Sequence, residues 1–327
     1  MKKWIGMLVV VLIISLLSAC GGGEPAAVEE KTKIKLGYNV WVGSAGVFVA
    51  DAKGYFQEQG LDVELVEFAN PTEAAQALLS EQVDITITTL DTLVVLKGSE
   101  DEENPLNIFH ALDVSNGADG IIAKAEIESL EDLKGKNVAA TVGAVNHFLL
   151  NYALKEVGLT DADVNLVNMD PDAAGAALIS GQVDAAVTWE PFLSEAQAQG
   201  DKLLYSTADA PGVIVDVMAT SEKMIKEHSD ELKKLVDAID QGVEAFQGEE
   251  EGTAKIVGEV IGVEAQEVGL YMDGIELFKK AEAEELLITN QSETEKMIKE
   301  ISAFFVENEH MEKEIDPTTV INPLIFE

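Results

Sequence analysis

The chain has 327 residues, about two domains' worth, and carries 60 acidic against 22 basic side chains, a formal net charge of −38. That charge excludes a nucleic-acid-binding protein, because phosphate recognition requires clustered cationic side chains. All 22 basic residues are lysines. Cys20 is the single cysteine, so the rest of the chain has no thiol for a disulfide, a nucleophile or a thiolate metal site.

The N-terminal segment has the features of a bacterial lipoprotein signal. A short basic start precedes an apolar run over residues 4–17, which is too short and wrongly flanked for a stable transmembrane helix. A lipobox, Leu17-Ser18-Ala19-Cys20, follows, so residues 1–20 are predicted to be a signal peptide and Cys20 the lipidated residue. The alternative is an ordinary secretory signal with a chance cysteine. Residues 21–32 have the composition of a flexible linker, which would hold the protein to the extracytoplasmic face of the cell membrane through its lipid anchor.

Predicted strands and helices alternate along the next 190 or so residues. The predicted strands are residues 33–38, 62–68, 85–88, 107–112, 121–124, 137–141, 164–169, 185–188, 203–205 and 213–218. The helices predicted between them are residues 47–55, 71–80, 147–157 and 171–180, with a capped helical turn at 129–135 and a loop at 113–120. From Ser221 the pattern is helical, with predicted helices at residues 222–247, 252–261, 264–278 and 293–308.

One stretch occurs twice, because residues 70–93 and 170–193 match at a constant spacing of 100 residues without a gap. Each copy predicts a capped helix with proline at its first position, a Gln-Val-Asp turn and a short apolar strand. After that strand the copies diverge, to Thr89-Leu90-Asp91-Thr92 in the first and Trp189-Glu190-Pro191-Phe192 in the second. The repeat predicts two similar α/β lobes that present different side chains to one ligand beyond the ends of their strands.

Alternating strands and helices, twice over, predict two lobes, each a mainly parallel sheet flanked by helices. The apolar strands near residues 120–124 and 213–219 are the predicted crossings between the lobes and the predicted hinge. Lobe I would then comprise residues 33–119 and 216–327, and lobe II residues 120–215.

Several segments, taken in order, resemble the substrate-binding proteins of ABC importers of the nitrate/sulfonate/taurine class, which have an NMT1/THI5-like domain. The segments that carry the resemblance are Trp41-Val42-Gly43, residues 50–56 and 60–63, residues 115–119, 130–136 and 184–191, and residues 211–216. The resemblance implies the type II periplasmic-binding fold with a cleft between two lobes. It further implies a monomeric solute-binding protein, not an enzyme, that needs no cofactor and works with an ABC permease and ATPase.

The predicted site combines an aromatic wall with polar groups at strand ends and helix N-termini. Trp41 and Trp189 are predicted to be a stacking pair, with core packing as the alternative. The predicted polar ligand-binding residues, which helix capping also explains, are Ser44, Thr89, Thr141 and Asn146. The predicted acids are Asp91, Asp119, Glu190 and Asp216, of which Asp91 can instead cap a helix and Asp119 and Asp216 can instead fix the hinge. The four histidines lack metal-ligand spacing, so no metal is expected; His147 is either a ligand contact or a helix-start residue.

The absence of arginine bears on the charge of the ligand, because arginine is the preferred residue for bidentate oxyanion recognition. With acids at the strand ends, it predicts a ligand with a positive end, such as taurine or a cationic aminopyrimidine-like ring. Its ammonium would pair with Glu190 or Asp216, and an acidic end would rest on N–H groups around Ser44 and Thr141–Asn146. A general bias in composition is the alternative explanation.

The predicted function is therefore capture of a small sulfonate, taurine-like or amine-bearing solute for an ABC importer. A thiamine-precursor pyrimidine or nitrate is the alternative solute. The THI5-like branch of the same fold includes pyrimidine synthases that use a histidine and a cysteine-rich iron motif, which a chain with a single cysteine does not fit. A structural or sensor lipoprotein is the remaining alternative.

Overall fold

The computed structural model describes residues 32–98 and 104–327. The predicted signal peptide, the predicted lipidation site Cys20 and all but the last residue of the predicted linker lie outside the described residues. Within the described ranges, no helix is long and apolar enough to cross a bilayer.

Eleven strands and thirteen α-helices make up the regular structure of the described residues. The strands are Thr32–Asn39 (β1), Leu61–Phe68 (β2), Ile85–Thr89 (β3), Leu106–Ser115 (β4), Asp119–Ala123 (β5), Asn137–Ala140 (β6), Asn165–Asn168 (β7), Ala185–Trp189 (β8), Lys202–Ser206 (β9), Val215–Ser221 (β10) and Ile275–Leu277 (β11). The helices are Ala45–Lys53 (α1), Tyr55–Glu58 (α2), Pro71–Leu79 (α3), Leu90–Lys97 (α4), Val145–Glu156 (α5), Pro171–Ile179 (α6), Phe192–Ala198 (α7), Glu222–Glu227 (α8), Ser229–Gln247 (α9), Thr253–Ile261 (α10), Ala265–Met272 (α11), Lys280–Glu284 (α12) and Gln291–Glu307 (α13).

The strands form two sheets with the same plan. The first has the order β11-β4-β10-β3-β1-β2, and the second has the order β7-β6-β8-β5-β9. Each contains three parallel strands, β2-β1-β3 or β7-β6-β8, beside which an antiparallel strand pairs with the last of the three. That antiparallel strand is β10 in the first sheet and β5 in the second. The predicted α/β architecture is confirmed, but both sheets are mixed and not mainly parallel. Three of the five strand pairings in the first sheet and two of the four in the second are antiparallel.

The two antiparallel strands are also where the chain changes sheets. The chain leaves the first sheet after β4 and enters the second with β5, and it returns after β9 by entering β10. The connections are residues 116–118 and 207–214. Sheet membership thus follows the order of the predicted lobes, while the boundaries of the lobes as moving units stay a prediction.

The internal repeat has the same structure in both copies. Helices α3 and α6 and strands β3 and β8 begin and end at positions that differ by 100. In each copy a strand threonine donates to the carbonyl of the first helical proline, at 3.1 Å for Thr88 to Pro71 and 2.8 Å for Thr188 to Pro171. The caps differ. The side-chain oxygen Oδ1 of Asn70 accepts from the Glu73 N–H at 2.9 Å, whereas Asp170 makes no side-chain cap bond within the described residues.

Helices α1 and α9 cover the first sheet and bring Trp41 and its loop into position. Helix α9 buries an apolar stripe at three- and four-residue spacing that includes Leu232, Leu235 and Ile239. The two helices approach closely at a glycine on each, because a Cβ on Gly242 would overlap the carbonyl oxygen of Gly46. The rigid seat of α1 fixes the turn at Val42–Ser44, from which the site is built.

Three sequence-based boundaries are wrong. Residues 113–115 continue β4 and do not open a loop, because they pair with β11 along one edge and with β10 along the other. The helix predicted over residues 264–278 ends at Met272, and β11 follows, because pairing with β4 outweighs the local helical pattern. The helix predicted over residues 222–247 is two helices that meet at His228.

Candidate ligand-binding site

The carboxyl ends of the parallel strands of the two sheets meet at a pair of tryptophans. Trp41 lies two residues beyond β1, and Trp189 is the last residue of β8. Their ring centroids are 6.0 Å apart, and the ring planes are inclined by 56°. The predicted pair therefore exists, as a tilted contact and not as a face-to-face stack, and both rings are buried.

A carboxylate fixes each of the two indoles. The Trp41 N–H lies 3.3 Å from both oxygens of Asp113 on β4. The Trp189 N–H donates to Asp172 in the first turn of α6 at 2.9 Å. The partner of Trp41 is thus a residue of the first sheet, and the partner of Trp189 lies on the helix that precedes its own strand. The contact between the two rings joins the two sheets.

Four buried aspartates gather beside Trp41. Asp113 and Asp216 face each other across the β4–β10 ladder, and Asp216 also pairs with Thr89 across β10 and β3. Asp91 lies in the first turn of the helix that follows β3, and Asp119 begins β5 opposite Trp189. The structure therefore brings the predicted residues Asp91, Asp119 and Asp216 to one place with the two tryptophans.

Burial raises the pKa of all four carboxyl groups. Loss of hydration raises the pKa of Asp91 to about 6, and the Thr89 hydroxyl opposes the shift. Loss of hydration raises the pKa values of Asp113 and Asp119 to about 7; the negative charge of Asp119 adds to the first shift and that of Asp91 to the second. The pKa of Asp216 is raised well above its usual 3.8 by burial, and then by the charges of Asp113, Asp119 and Asp91.

Several of these buried polar atoms have no protein partner. Within the described residues, no group makes a hydrogen bond with either carboxylate oxygen of Asp91, with Oδ2 of Asp119 or with the hydroxyl of Ser44. These three side chains are only 1, 2 and 1% exposed. A buried carboxylate without a donor or a counter-charge is costly. Among the described residues, buried polar atoms without a hydrogen-bond partner also occur outside this cluster, at Thr72, His110 and His147, but those atoms carry no negative charge.

Gly43, the middle residue of the Val42–Ser44 turn, makes room for the aspartate cluster. A Cβ on Gly43 would lie 2.5 Å from Oδ2 of Asp113 and would also overlap the indole nitrogen of Trp41. Every other residue at this position would therefore displace the carboxylate, the indole or the backbone.

The other predicted site residues are engaged within their own lobes. Thr89 donates to the Thr92 hydroxyl at 2.8 Å, Thr141 donates to the Met169 carbonyl at 2.9 Å, and the Asn146 amide lies 3.3 Å from the Val187 carbonyl. Glu190 accepts from the hydroxyl and the N–H of Ser194, at 2.8 and 3.1 Å. Glu190 also lies near enough for its charge to raise the pKa of Asp119, and each of its oxygens accepts one hydrogen bond from Ser194.

Sequence reasoning missed two carboxylates, Asp113 and Asp172, that hold the tryptophans. Asp113 was placed in a loop because the predicted strand ended at Leu112; the alternation of Asp113, Val114 and Ser115 was the available signal for a longer strand. Asp172 resembles an ordinary first-turn acid, and no sequence feature marks it as the partner of Trp189.

Further contacts join the two sheets away from the tryptophans. The Asn70 amide donates to Asp170 at 2.9 Å, so the equivalent caps of the two repeat copies bind each other. His147 of α5 packs against His310 at a ring distance of 5.2 Å, and Phe148 packs against Phe304 and Phe305. His147 lies in the first turn of α5, where its Nδ1 accepts from the Gly143 N–H at 3.1 Å and its Nε2 lies 3.3 Å from Asp161, so a ligand contact stays a prediction.

Comparison with known proteins decides the family. The NMT1/THI5-like family model matches residues 41–251 of this chain, from Trp41 through both copies of the repeat. The chain belongs to the NMT1/THI5-like family.

Relatives of this NMT1/THI5-like protein carry names from several branches. A Bacillus subtilis protein named for binding aliphatic sulfonates is 24% identical over 74% of each chain. The taurine-binding periplasmic protein of Escherichia coli is 29% identical over 47% of this chain and 48% of its own. A Haemophilus influenzae protein named for thiamine biosynthesis is 32% identical over 50% of this chain, which spans only 51% of that relative.

Solved structures with the same fold include the periplasmic aliphatic sulphonate binding protein of Escherichia coli, with a TM-score of 0.73 and 20% identity over 91% of this chain and 100% of that one. The alkanesulfonate-binding protein of Xanthomonas axonopodis pv. citri, bound to MOPS, has a TM-score of 0.75 and 17% identity over 90 and 99%. A desulfurization enzyme shares the fold at a TM-score of 0.63 and 14% identity, over 90 and 98%. At these identities the likeness establishes the fold alone. The predicted family and two-sheet α/β fold are confirmed.

Proposed function

We propose that this protein is an extracytoplasmic solute-binding protein that captures a small molecule between its two lobes and delivers it to an ABC permease and ATPase. The observation that carries the proposal is the tryptophan pair, which joins the carboxyl ends of two similar sheets beside buried polar atoms without protein partners. In open α/β sheets this is where ligands bind. Relatives named for sulfonate and taurine binding support the same role.

The proposed solute is a small sulfonate, a taurine-like molecule or another amine-bearing compound. The sulfonate- and taurine-binding relatives support this class by name, and the Haemophilus influenzae relative keeps a thiamine-precursor pyrimidine as the alternative. The predicted alternative of nitrate fits less well with a site whose charged groups are all acids.

Binding would involve rotation of lobe II, residues 120–215, against lobe I, residues 33–119 and 216–327. Only the connections at 116–118 and 207–214 link the two sheets covalently. The contacts that would separate on opening include the tryptophan pair, the Asn70–Asp170 hydrogen bond and the aromatic contacts of His147 and Phe148 with the C-terminal region.

Binding without catalysis fits the chemistry of the site. Cys20, the single cysteine, belongs to the predicted signal, so the site has no thiol nucleophile. The enzymes among the solved structures share the fold at 14% identity, which carries no argument for their chemistry here.

Anchoring at Cys20 is the remaining part of the proposal, with the protein held as a monomer on the outer face of the membrane. Acylation of the cysteine and of its amino group would supply enough apolar chain for stable anchoring. We expect Cys20→Ala to leave the membrane fraction and to lose its lipid label. A variant that still carries lipid would contradict the anchoring alone.

A thermal-shift screen tests the binding function. The full-length chain would be melted in detergent with taurine, ethanesulfonate, nitrate and a 4-aminopyrimidine, while its tryptophan emission is followed. A true ligand at a hundred times its Kd stabilises the native state by about 2.7 kcal/mol and alters the environment of Trp41 and Trp189. If neither these compounds nor a wider panel of small amines and anions shifts the melting temperature, the binding function is rejected.

A further inference from the structure

The site contains more buried negative charge than its own donors satisfy. The Trp41 N–H binds the Asp113 carboxylate, and the carboxyl groups of Asp113 and Asp216 lie close enough to share a hydrogen bond. By hydrogen-bond geometry, no described group donates to either carboxylate oxygen of Asp91 or to Oδ2 of Asp119. The Thr89 hydroxyl and the N–H groups of Asp91 and Thr92 lie near enough to lower the pKa of Asp91 but do not reach that geometry. Three carboxylate oxygens, on two side chains that are almost fully buried, therefore remain for a donor from outside the protein.

Nearby groups of the protein do not supply the missing positive charge. The ion pairs formed by the described lysines lie at the surface or at the rims of the sheets, as in Lys33–Glu64, Lys124–Asp184 and Lys279–Glu244, and none of the ion pairs found there includes a site aspartate. The effects that oppose burial at these carboxyls come first from neutral donors, the Trp41 indole and the Ser115 and Thr89 hydroxyls. A neutral donor satisfies a lone pair but does not balance the charge.

The arrangement of the acids suits an organic cation better than a metal ion. Among the described residues, no group of three or more acidic, histidine or cysteine side chains is spaced to hold a metal. Beside the acids lie the rings of Trp41 and Trp189, and an aromatic face attracts a positive charge that rests on it. The Ser44 hydroxyl, 1% exposed and also without a protein partner, adds one polar contact for a group that is not charged.

We infer that the ligand is an organic cation, a protonated primary amine or an amidinium, whose N–H groups bind the carboxylates of Asp91 and Asp119 beside Trp41. This inference rests on the proposed binding function and narrows its ligand class. A primary ammonium offers three N–H donors, which equals the number of carboxylate oxygens without a partner. A sulfonate without an amine would instead place its charge beside the carboxylates of Asp91 and Asp119, and the juxtaposition of like charges is unfavourable.

Matched probes test the charge of the ligand. We would titrate the full-length chain by calorimetry with taurine and isethionate, which differ by an ammonium in place of a hydroxyl, and with propylamine, putrescine and acetamidine against propanol and acetamide. At least one amine or amidine is expected to bind at least tenfold more tightly than its uncharged partner. Binding of isethionate or ethanesulfonate equal to the best amine would overturn the inference and leave the binding function standing. Binding of no probe would reject the inference and count against the binding function as well.

Variants test the two carboxylates. Asp91→Asn and Asp119→Asn keep the size of the side chain and remove its charge, and each is expected to weaken the best amine by about thirtyfold or more, since a buried charge would lose its counter-ion. Asp62→Asn makes the same chemical change at an exposed position of β2 and is expected to bind as the wild type does. Unchanged affinity in both site variants, with circular dichroism showing that they are folded, would overturn the assignment.

Discussion

The two copies of the repeat share a helix, a turn and a strand, but they differ in the residues at the exit of the strand, where the next element begins. At the end of β8, the indole of Trp189 is bound by Asp172 and Glu190 is bound by Ser194. At the end of β3, the corresponding stretch leaves both oxygens of Asp91 without a partner among the described residues. The polar side chains at the second exit are thus hydrogen-bonded within their own copy, whereas the Asp91 carboxylate at the first exit has no hydrogen-bond partner in the described structure.

The two copies keep the same helix, turn and strand although the residues after the strand differ. The shared hydrogen bonds, Thr88 to Pro71 and Thr188 to Pro171, hold the strand end rigidly against the helix in each lobe. A rigid frame lets each lobe present a fixed tryptophan to the site, while the first sheet also presents the carboxylates of Asp113 and Asp216. We expect substitutions at the exit of the first copy to alter the charge of the site and ligand binding. Substitutions in the Asn70–Asp170 bond are expected to alter the equilibrium between closed and open lobes.

The largest expected effect is on stability, from removing an unsatisfied carboxylate. Burial raises the pKa of Asp91 from 3.8 to about 6, so its charged form destabilises the ligand-free protein by about 3 kcal/mol at pH 8. Asp91→Asn is therefore expected to raise the free energy of unfolding by up to about 3 kcal/mol at pH 8, measured by urea denaturation.

The pH dependence of that gain identifies its cause. The unfolded chain ionises Asp91 near pH 4 while the folded protein keeps its proton to about pH 6, so ligand-free stability falls as pH rises through this window. The gain from Asp91→Asn is accordingly expected to be absent at pH 3.5 and complete by pH 8. A gain that does not change with pH would contradict burial as its cause.

Replacing Gly43 is expected to have the next largest effect. A methyl group there would crowd the Asp113 carboxylate and the Trp41 indole, at a cost of about 1–3 kcal/mol for overpacking. We expect Gly43→Ala to lower the melting temperature and to shift tryptophan emission. Gly269→Ala is the matched control, because a Cβ on Gly269 meets nothing within 4 Å. Equal effects of the two substitutions would contradict the close approach at Gly43.

The hydrogen bond between the two caps is expected to have a smaller effect. Asp170 does not cap its own helix within the described structure, so Asp170→Ala removes only the bond from Asn70. Loss of such a bond costs about 1 kcal/mol and is expected to favour the open arrangement, seen as a larger radius of gyration in X-ray scattering. Asn70→Asp keeps the cap and faces one acid with another, so it is expected to open the lobes further; a compact Asn70→Asp variant would contradict this role.

Much of the fold could be predicted because the determining signals are local. The repeat, its caps and turns, and the strands of both sheets follow from periodicity and spacing, as does the pairing of Trp41 with Trp189. The three wrong boundaries, at residues 113–115, 228 and 273–278, lie where pairing with a distant strand or packing between helices decides the conformation.

The site could be predicted only in outline. Proximity to a strand end identified Asp91, Asp119 and Asp216, but not which carboxylates would find partners inside the protein. Glu190 is predicted to bind the ligand, and in the structure its two oxygens accept hydrogen bonds from Ser194, so its role at the site stays a prediction. Asp113 and Asp172 are defined by indoles that lie 72 and 17 residues away along the chain, which no local pattern reveals.

Proton release on binding tests most directly whether the unsatisfied carboxylates of the first copy receive a cation. The best amine or amidine of the panel would be titrated into the full-length chain at pH 6.5, in buffers that differ in ionisation enthalpy. Because Asp91 and Asp119 have pKa values of about 6 and 7 in the ligand-free protein, we expect each bound cation to release about one proton. Affinity is expected to rise from pH 5 to pH 8. Proton uptake, or a binding enthalpy that is the same in every buffer, would contradict cation binding at these carboxylates.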